Sequence, residues 1–80
     1  MHTVKVYSTS TCPWCVRAKD YLKEKKVKFS DVDVSRDSAA AREMIQKSGQ
    51  RGVPVIDIDG TIIVGFDKPA IEQALGFSDD

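Results

Sequence analysis

The chain has 80 residues, room for one domain and no second. At this size folding removes only about 60–65% of the unfolded surface from water, so stability is thin. Apolar residues make up 41% and charged residues 30%, a globular and not a disordered composition. Twelve basic residues offset twelve acidic ones, so no global field favours nucleic acid or an anionic membrane. Apolar runs such as Ile62 to Val64 are far too short to span a bilayer. Met1 to Lys5 carries no signal-peptide pattern. The expectation is one cytoplasmic domain over residues 1–80.

In chain order, Val4 and Val6 alternate with Lys5 and Tyr7, which predicts a strand. From Pro13 the pattern turns helical, with Cys15, Ala18 and Leu22 on one face. Pro13 suits a first helical turn, and Lys25 and Lys26 suit a helix end. Val27 to Val34 predicts a second strand, whose alternation slips between Phe29 and Val32 and so implies a bulge or an early end. Ser35 or Asp37 caps a second helix with Ala41, Met44 and Ile45 inside and Gly49 as its stop. Val55, Ile56 and Ile58 form a third strand, Asp59-Gly60 a hairpin turn, and Ile62 to Val64 the returning strand. Asp67 caps a last helix, with Ile71, Ala74 and Leu75 inside and Gly76 at its end. The order β-α-β-α-β-β-α gives an α/β fold: a four-stranded mixed sheet with three helices over its two faces, its first two strands parallel.

Both cysteines of the chain lie in Cys12-Pro13-Trp14-Cys15. A bridge closing so short a loop adds little stability, so the pair points to chemistry before scaffolding. Cys12 falls where strand one ends and helix one begins. There the unpaired helical N–H groups and the macrodipole favour a thiolate. Arg17 and Lys19 add positive charge nearby. Cys15 lies one turn on, faces the apolar stripe and is the less acidic thiol. This asymmetry suggests attack by Cys12 on a disulfide and resolution of the mixed disulfide by Cys15. Pro13 stiffens the turn, and Trp14 offers an exposed apolar surface. A zinc site needs four ligands, and beyond the pair the chain has only His2, so no metal is expected. A cytosolic Cys-x-x-C beside a βαβ pattern is a redox signature.

These residues resemble a glutaredoxin, of the thioredoxin superfamily, over essentially the whole chain. Val6-Tyr7-Ser8 leading into Cys12-Pro13-Trp14-Cys15 is similar to that family's strand and dithiol motif. Ser48-Gly49-Gln50-Arg51-Gly52-Val53-Pro54 resembles its Thr-Gly-Gln-Arg-Thr-Val-Pro segment. The resemblance implies that Pro54 is cis, that the Val53 backbone pairs with the substrate, and that Gln50 and Arg51 meet a glutathione carboxylate. The family's Gly-Gly-x-Asp-Asp stretch matches Val64-Gly65-Phe66-Asp67-Lys68 at Gly65 and Asp67 only. The family's lysine three residues before the nucleophile is Thr9 here. Gly65-Phe66 is also similar to NrdH-type redoxins, which thioredoxin reductase recharges.

The resemblance implies a thiol–disulfide oxidoreductase with Cys12 as nucleophile and Cys15 as resolving thiol. Pro13, Trp14 and Pro54 support the site; Thr9, Gln50, Arg51, Val53, Pro54, Gly65, Phe66 and Asp67 surround the substrate. Glutathione is a co-substrate, disulfide proteins are the clients, no cofactor is tightly bound, and a monomer is expected. A potential of roughly −200 to −230 mV goes with the family. Two rivals stand beside it: an NrdH-like electron donor fed by thioredoxin reductase, and a glutathione-ligated iron–sulfur carrier, which proline after the nucleophile disfavours. Plainer readings make Asp67 only a helix cap, Gln50 and Arg51 solvated loop residues, Phe66 core packing, Asp57 solvent-facing and Lys23 to Lys26 a solvated helix end.

Overall fold

The structure, a computed structural model, describes residues 3–76; His2 lies outside them. Seven elements follow in order: β1 (Val4–Ser8), α1 (Pro13–Glu24), β2 (Ser30–Asp33), α2 (Ser38–Ser48), β3 (Val55–Ile58), β4 (Thr61–Val64) and α3 (Lys68–Leu75). The sheet order is β2-β1-β3-β4. β1 and β2 run parallel, while β3 is antiparallel to both β1 and β4. This is the mixed sheet expected from the chain order, and it is a thioredoxin-like fold.

Strand alternation sorts the core into two layers. Val4, Val6, Ile56, Ile58 and Ile63 point to one face and pack with Ala18, Tyr21 and Leu22 of α1 and Ile71 and Leu75 of α3. Tyr7 and Val55 point to the other face and meet Met44 of α2. Ile45 and Ala41, predicted to line α2's inner stripe, are half-buried. α2 therefore covers its face alone, with one fully buried anchor.

The ends of the elements follow local chemistry. Asp37, not Ser35, caps α2, its carboxylate accepting from Ala40 N–H at 3.1 Å. Gly49 stops that helix at φ 73°, which glycine adopts without a Cβ penalty. Asp59 and Gly60 both take positive φ, 52° and 92°, as a two-residue I′ hairpin turn requires. Thr3 N–H donates to the Asp59 carboxylate and Asp59 N–H to Thr3 carbonyl, tying this turn to the start of β1.

β2 corrects one expectation. It spans Ser30–Asp33, not Val27 to Val34, and no bulge accounts for the slipped alternation. Val27 N–H returns to Leu22 carbonyl at 2.9 Å, so this segment first closes the end of α1. Pairing with β1 starts at Lys5↔Ser30, because β1 itself begins only at Val4 and β2 is an edge strand with no other neighbour. Val27 and Phe29 pack into the first layer, Val32 and Val34 into the second. The slip records the apolar side changing faces.

Asp57 corrects another. It is paired and not solvent-facing: Lys47 Nζ lies 2.7 Å from one carboxylate oxygen, and Gly60 N–H donates to the other at 2.8 Å. Lys47 also donates to Tyr7 hydroxyl at 3.0 Å, and that hydroxyl donates to Glu43. The network joins α2 to β1 and β3. The Asp57 and Tyr7 partners hold the Lys47 ammonium protonated far above the ordinary lysine range.

Ile56 on central strand β3 has no solvent exposure. Ile56→Ala is expected to destabilise the fold by about 2–5 kcal/mol through lost transfer energy and a residual cavity. Urea unfolding should show a lower midpoint at unchanged slope; an unchanged midpoint would contradict this packing.

Candidate active site

β1 delivers the chain to the start of α1, and Cys12 is the residue at that junction. Its backbone is extended (φ −98°, ψ 111°) and its sulfur caps the helix, accepting from Cys15 N–H at 3.2 Å. Cys12 N-caps α1 with a sulfur where other helices use oxygen. Pro13 follows as the first helical residue, where its missing N–H breaks no bond.

Cys15 faces the opposite environment. It is fully buried, and its thiol is pushed up to about 11. Burial is the largest cause, followed by the hydrogen bond to Cys12; a Thr9 backbone hydrogen bond and the Lys19 charge act the other way. Both thiols are free. Of the two flanking cations, Lys19 lies 3.1 Å from the Asp31 carboxylate, and the Arg17 guanidinium sits over the Trp14 ring at 4.9 Å.

The second half of the site comes from the loop after α2. The Val53–Pro54 bond is cis, as the resemblance implied. Cys12 Sγ lies 3.8 Å from Val53 carbonyl, so the loop and the helix N-terminus meet at the sulfur. Gly65 N–H donates to Pro54 carbonyl at 2.8 Å, which brings in the segment after β4. Trp14, Val53, Pro54, Gly65 and Phe66 then line an open groove of about 290 Å³. Trp14 is 56% exposed. Phe66 is half-buried and meets Tyr21 edge to face, with centroids 5.7 Å apart. It is both core packing and groove wall.

The remaining expected residues are placed as follows. Asp67 caps α3, accepting from Ala70 N–H at 3.3 Å. Lys68 turns its ammonium to the Tyr21 ring, 5.3 Å from the centroid. Gln50 folds its carboxamide onto Gly52, Nε2 donating to the carbonyl and Oε1 accepting from the N–H. Arg51 is exposed, and Thr9 is half-buried beside Cys15 through its backbone. Among the described residues no group of three or more His, Cys, Asp and Glu side chains is placed to hold a metal ion. No helix among them is long and apolar enough to cross a membrane.

Sequence reading gave no site role to Ser8, Asp31 or Tyr21. Ser8, 2% exposed, donates to Asp31 Oδ1 at 2.8 Å, and Lys19 reaches the same carboxylate. Lys19 stands four residues after Cys15, a helical spacing that puts both on one side of α1. Tyr21 buttresses Phe66 while its hydroxyl donates to Glu72 of α3 at 2.9 Å.

A thioredoxin-like fold whose α1 is capped by the first sulfur of a Cys-x-x-C pair defines a class of dithiol redox proteins. The comparisons with known proteins name the family within it. The glutaredoxin family model matches residues 4–63. An 8.6 kDa glutaredoxin-like protein of the rubredoxin operon of Clostridium pasteurianum is 53% identical over 72 residues, 90% of this chain and 96% of that one. Glutaredoxin 3 of Escherichia coli K12 is 42% identical over 67 residues, 84% of this chain and 81% of its own. The crystal structure of Methanosarcina acetivorans methanoredoxin superposes with a TM-score of 0.86 at 30% identity, covering 94% of this chain and 85% of that one. NrdH-redoxin of Escherichia coli shares the fold, with a TM-score of 0.79 at 22% identity, over 89% of this chain and 92% of that one. The chain belongs to the glutaredoxin family of thiol–disulfide oxidoreductases.

The burial of Cys15 sets a pH dependence. With its thiol near 11, about one molecule in a thousand carries the Cys15 thiolate at pH 8. Iodoacetamide on the reduced protein should therefore modify Cys12 first and Cys15 only as pH approaches 11. The folded value lies above the ordinary 9.0, so this burial stabilises the fold fully below pH 9, and that contribution drains as pH rises toward 11. Equal alkylation of both thiols at pH 8 would contradict the assignment.

Proposed function

We propose that this protein reduces protein disulfides and glutathione mixed disulfides, with Cys12 as nucleophile, Cys15 as resolving thiol and glutathione as the reductant. One observation carries the reading: the half-exposed sulfur receives the helix N–H, while the other is buried and held protonated. The Cys12 thiolate attacks one sulfur of the substrate, a mixed disulfide forms, and the departing thiolate takes up a proton. Cys15 then loses its proton and attacks Cys12 Sγ. That breaks the mixed disulfide, releases the second thiol and leaves Cys12–Cys15 oxidised. Two electrons have passed to the substrate.

The same geometry times the second attack. Two causes that raise the Cys15 thiol are its hydrogen bond to Cys12 and the Cys12 charge. Once Cys12 is consumed in a mixed disulfide both vanish, while the Lys19 charge that favours the Cys15 thiolate stays. Cys15 becomes easier to ionise at the moment it is needed. Two glutathione thiols reverse the sequence and restore the dithiol. Both sulfurs come from one chain, so a monomer suffices, with no bound cofactor. A cytoplasm that keeps thiols reduced suits the cycle.

A second reading keeps this chemistry and changes the electron source to thioredoxin reductase. It is favoured by the positions that depart from the family's glutathione pattern: Thr9, Val64, and Lys68, whose ammonium is engaged at Tyr21. Turnover of a small glutathione mixed disulfide, with glutathione and glutathione reductase in one arm and thioredoxin reductase with NADPH in the other, separates the two. Turnover confined to the second arm would select the dedicated electron carrier.

Cys12→Ser is expected to abolish exchange with every disulfide. Cys15→Ser is expected to accumulate a stable mixed disulfide, visible as an added mass. Adducts on Cys12→Ser and none on Cys15→Ser would reverse the two roles.

A further inference from the structure

Lys19 is a lysine mostly withdrawn from water. Its side chain is 20% exposed, against 49% for its partner Asp31, so its charge is the less screened of the two. A lysine is seldom placed this way without partners. Here Nζ lies 3.1 Å from Asp31 Oδ2 and 3.5 Å from Ser8 Oγ. Ser8 Oγ in turn donates to Asp31 Oδ1 at 2.8 Å, and Ser8 is buried. A closed triangle thus joins α1, the end of β1 and β2.

The triangle adjoins the dithiol through two of its corners. Ser8 is the last residue of β1, and Thr9, which follows it, makes a backbone hydrogen bond to the Cys15 thiol. Lys19 follows Cys15 by one helical turn, and a long helical side chain leans toward the N-terminus of its own helix, here toward Cys15. The Thr9 hydrogen bond and the Lys19 charge both favour the Cys15 thiolate. The triangle fixes the lysine itself and the strand end that leads into Thr9. Neighbouring charges are engaged elsewhere: Arg17 lies on the Trp14 ring, and Asp33 of β2 meets Ser35 N–H and Arg36. The packing of α1 is already anchored by Ala18, Tyr21 and Leu22.

A mixed disulfide on Cys12 has two fates. Cys15 attacks Cys12 Sγ, frees the substrate thiol and leaves Cys12–Cys15 oxidised. Otherwise an external thiol attacks the substrate's sulfur, restores the dithiol and stays joined to the substrate. We propose that Lys19, fixed by Asp31 and Ser8, is a positioning residue for the second attack, committing the mixed disulfide to Cys15 before an external thiol reaches it. This rests on the reading of Cys12 as attacking thiol and Cys15 as resolving thiol. It deepens that reading by making disulfides within client proteins, whose full reduction uses both thiols, the substrates this site is arranged to finish.

Stopped-flow reaction with excess dipyridyl disulfide, a neutral reagent, separates the two attacks. Cys12 attack forms a Cys12–pyridyl disulfide and releases one pyridinethiolate, which takes a proton and absorbs as the thione. Cys15 gives its proton to water, attacks Cys12 Sγ and releases the second; the dithiol loses two electrons and the reagent gains them. The first phase scales with reagent concentration, and the intramolecular second phase does not. Lys19→Met is expected to slow the second phase roughly two- to fivefold at neutral pH, because a smaller thiolate fraction is partly offset by a more nucleophilic thiolate. The deficit should close in alkaline buffer. Asp31→Ala, at an exposed edge-strand position, should slow the same phase, and the first phase should change far less in both variants. An unchanged second phase in Lys19→Met overturns the proposal. So does a slowing that is equal in both phases or equal at every pH, the mark of a merely structural pair. A faster second phase in Asp31→Ala also overturns it, because Asp31 would then only neutralise the lysine. Two phases persisting in Cys15→Ser would overturn the thiol assignment beneath it, a failure distinct from that of the triangle.

Discussion

The hydrogen bond from Cys15 N–H to Cys12 Sγ is the contact on which the rest of the site depends. It makes one sulfur the cap of α1. An orphan N–H must find an acceptor; here the acceptor is the Cys12 sulfur. The same turn of helix sends Cys15 into the core, so two identical side chains three residues apart acquire opposite properties. Burial and capping follow from one helical start, and neither needs a cofactor.

That start is held from both faces of the sheet. On one side Ala18 and Leu22 pack α1 against Val6 and Ile56, and Lys19 binds Asp31 beside Ser8. On the other, α2 has Met44 as its sole fully buried side chain, and polar contacts supplement it. Lys47 links Glu43, Tyr7 and Asp57, fastening α2 to β1 and β3. Exposed ion pairs contribute little by themselves, but this set includes the hydroxyl of a fully buried tyrosine. Its consequence for the site is positional: the chain leaving α2 at Gly49 runs directly into Gln50, Gly52 and Val53, and Val53 carbonyl lies at Cys12 Sγ.

Most of the architecture was legible in the sequence because its signals were local. Pro13 and Asp67 at helix starts, Gly49 and Gly76 at helix ends and Asp59-Gly60 at the hairpin each act through their own backbone. β2 was overextended for the converse reason. Val27 and Phe29 are apolar and alternate, and only the position of β1 decides where pairing begins. Asp57 failed the same way: alternation placed it opposite Ile56 and Ile58, but the identity of what covers that face, Lys47 from α2, is a tertiary fact.

The dithiol, its place at a strand-to-helix junction and the inward direction of Cys15 were determined by sequence, since spacing along one helix fixes them. What surrounds the sulfur was decided by tertiary structure. The approach of Val53, the cis bond before Pro54, the groove between Trp14 and Phe66, the turning of Lys68 to Tyr21 and the closing of Gln50 on Gly52 join segments or side-chain rotamers that no period encodes. A motif specifies which atoms are present and along which face they lie. Their partners across the loops depend on how the two layers pack, and side chains such as Gln50 settle onto whichever acceptor that packing leaves within reach.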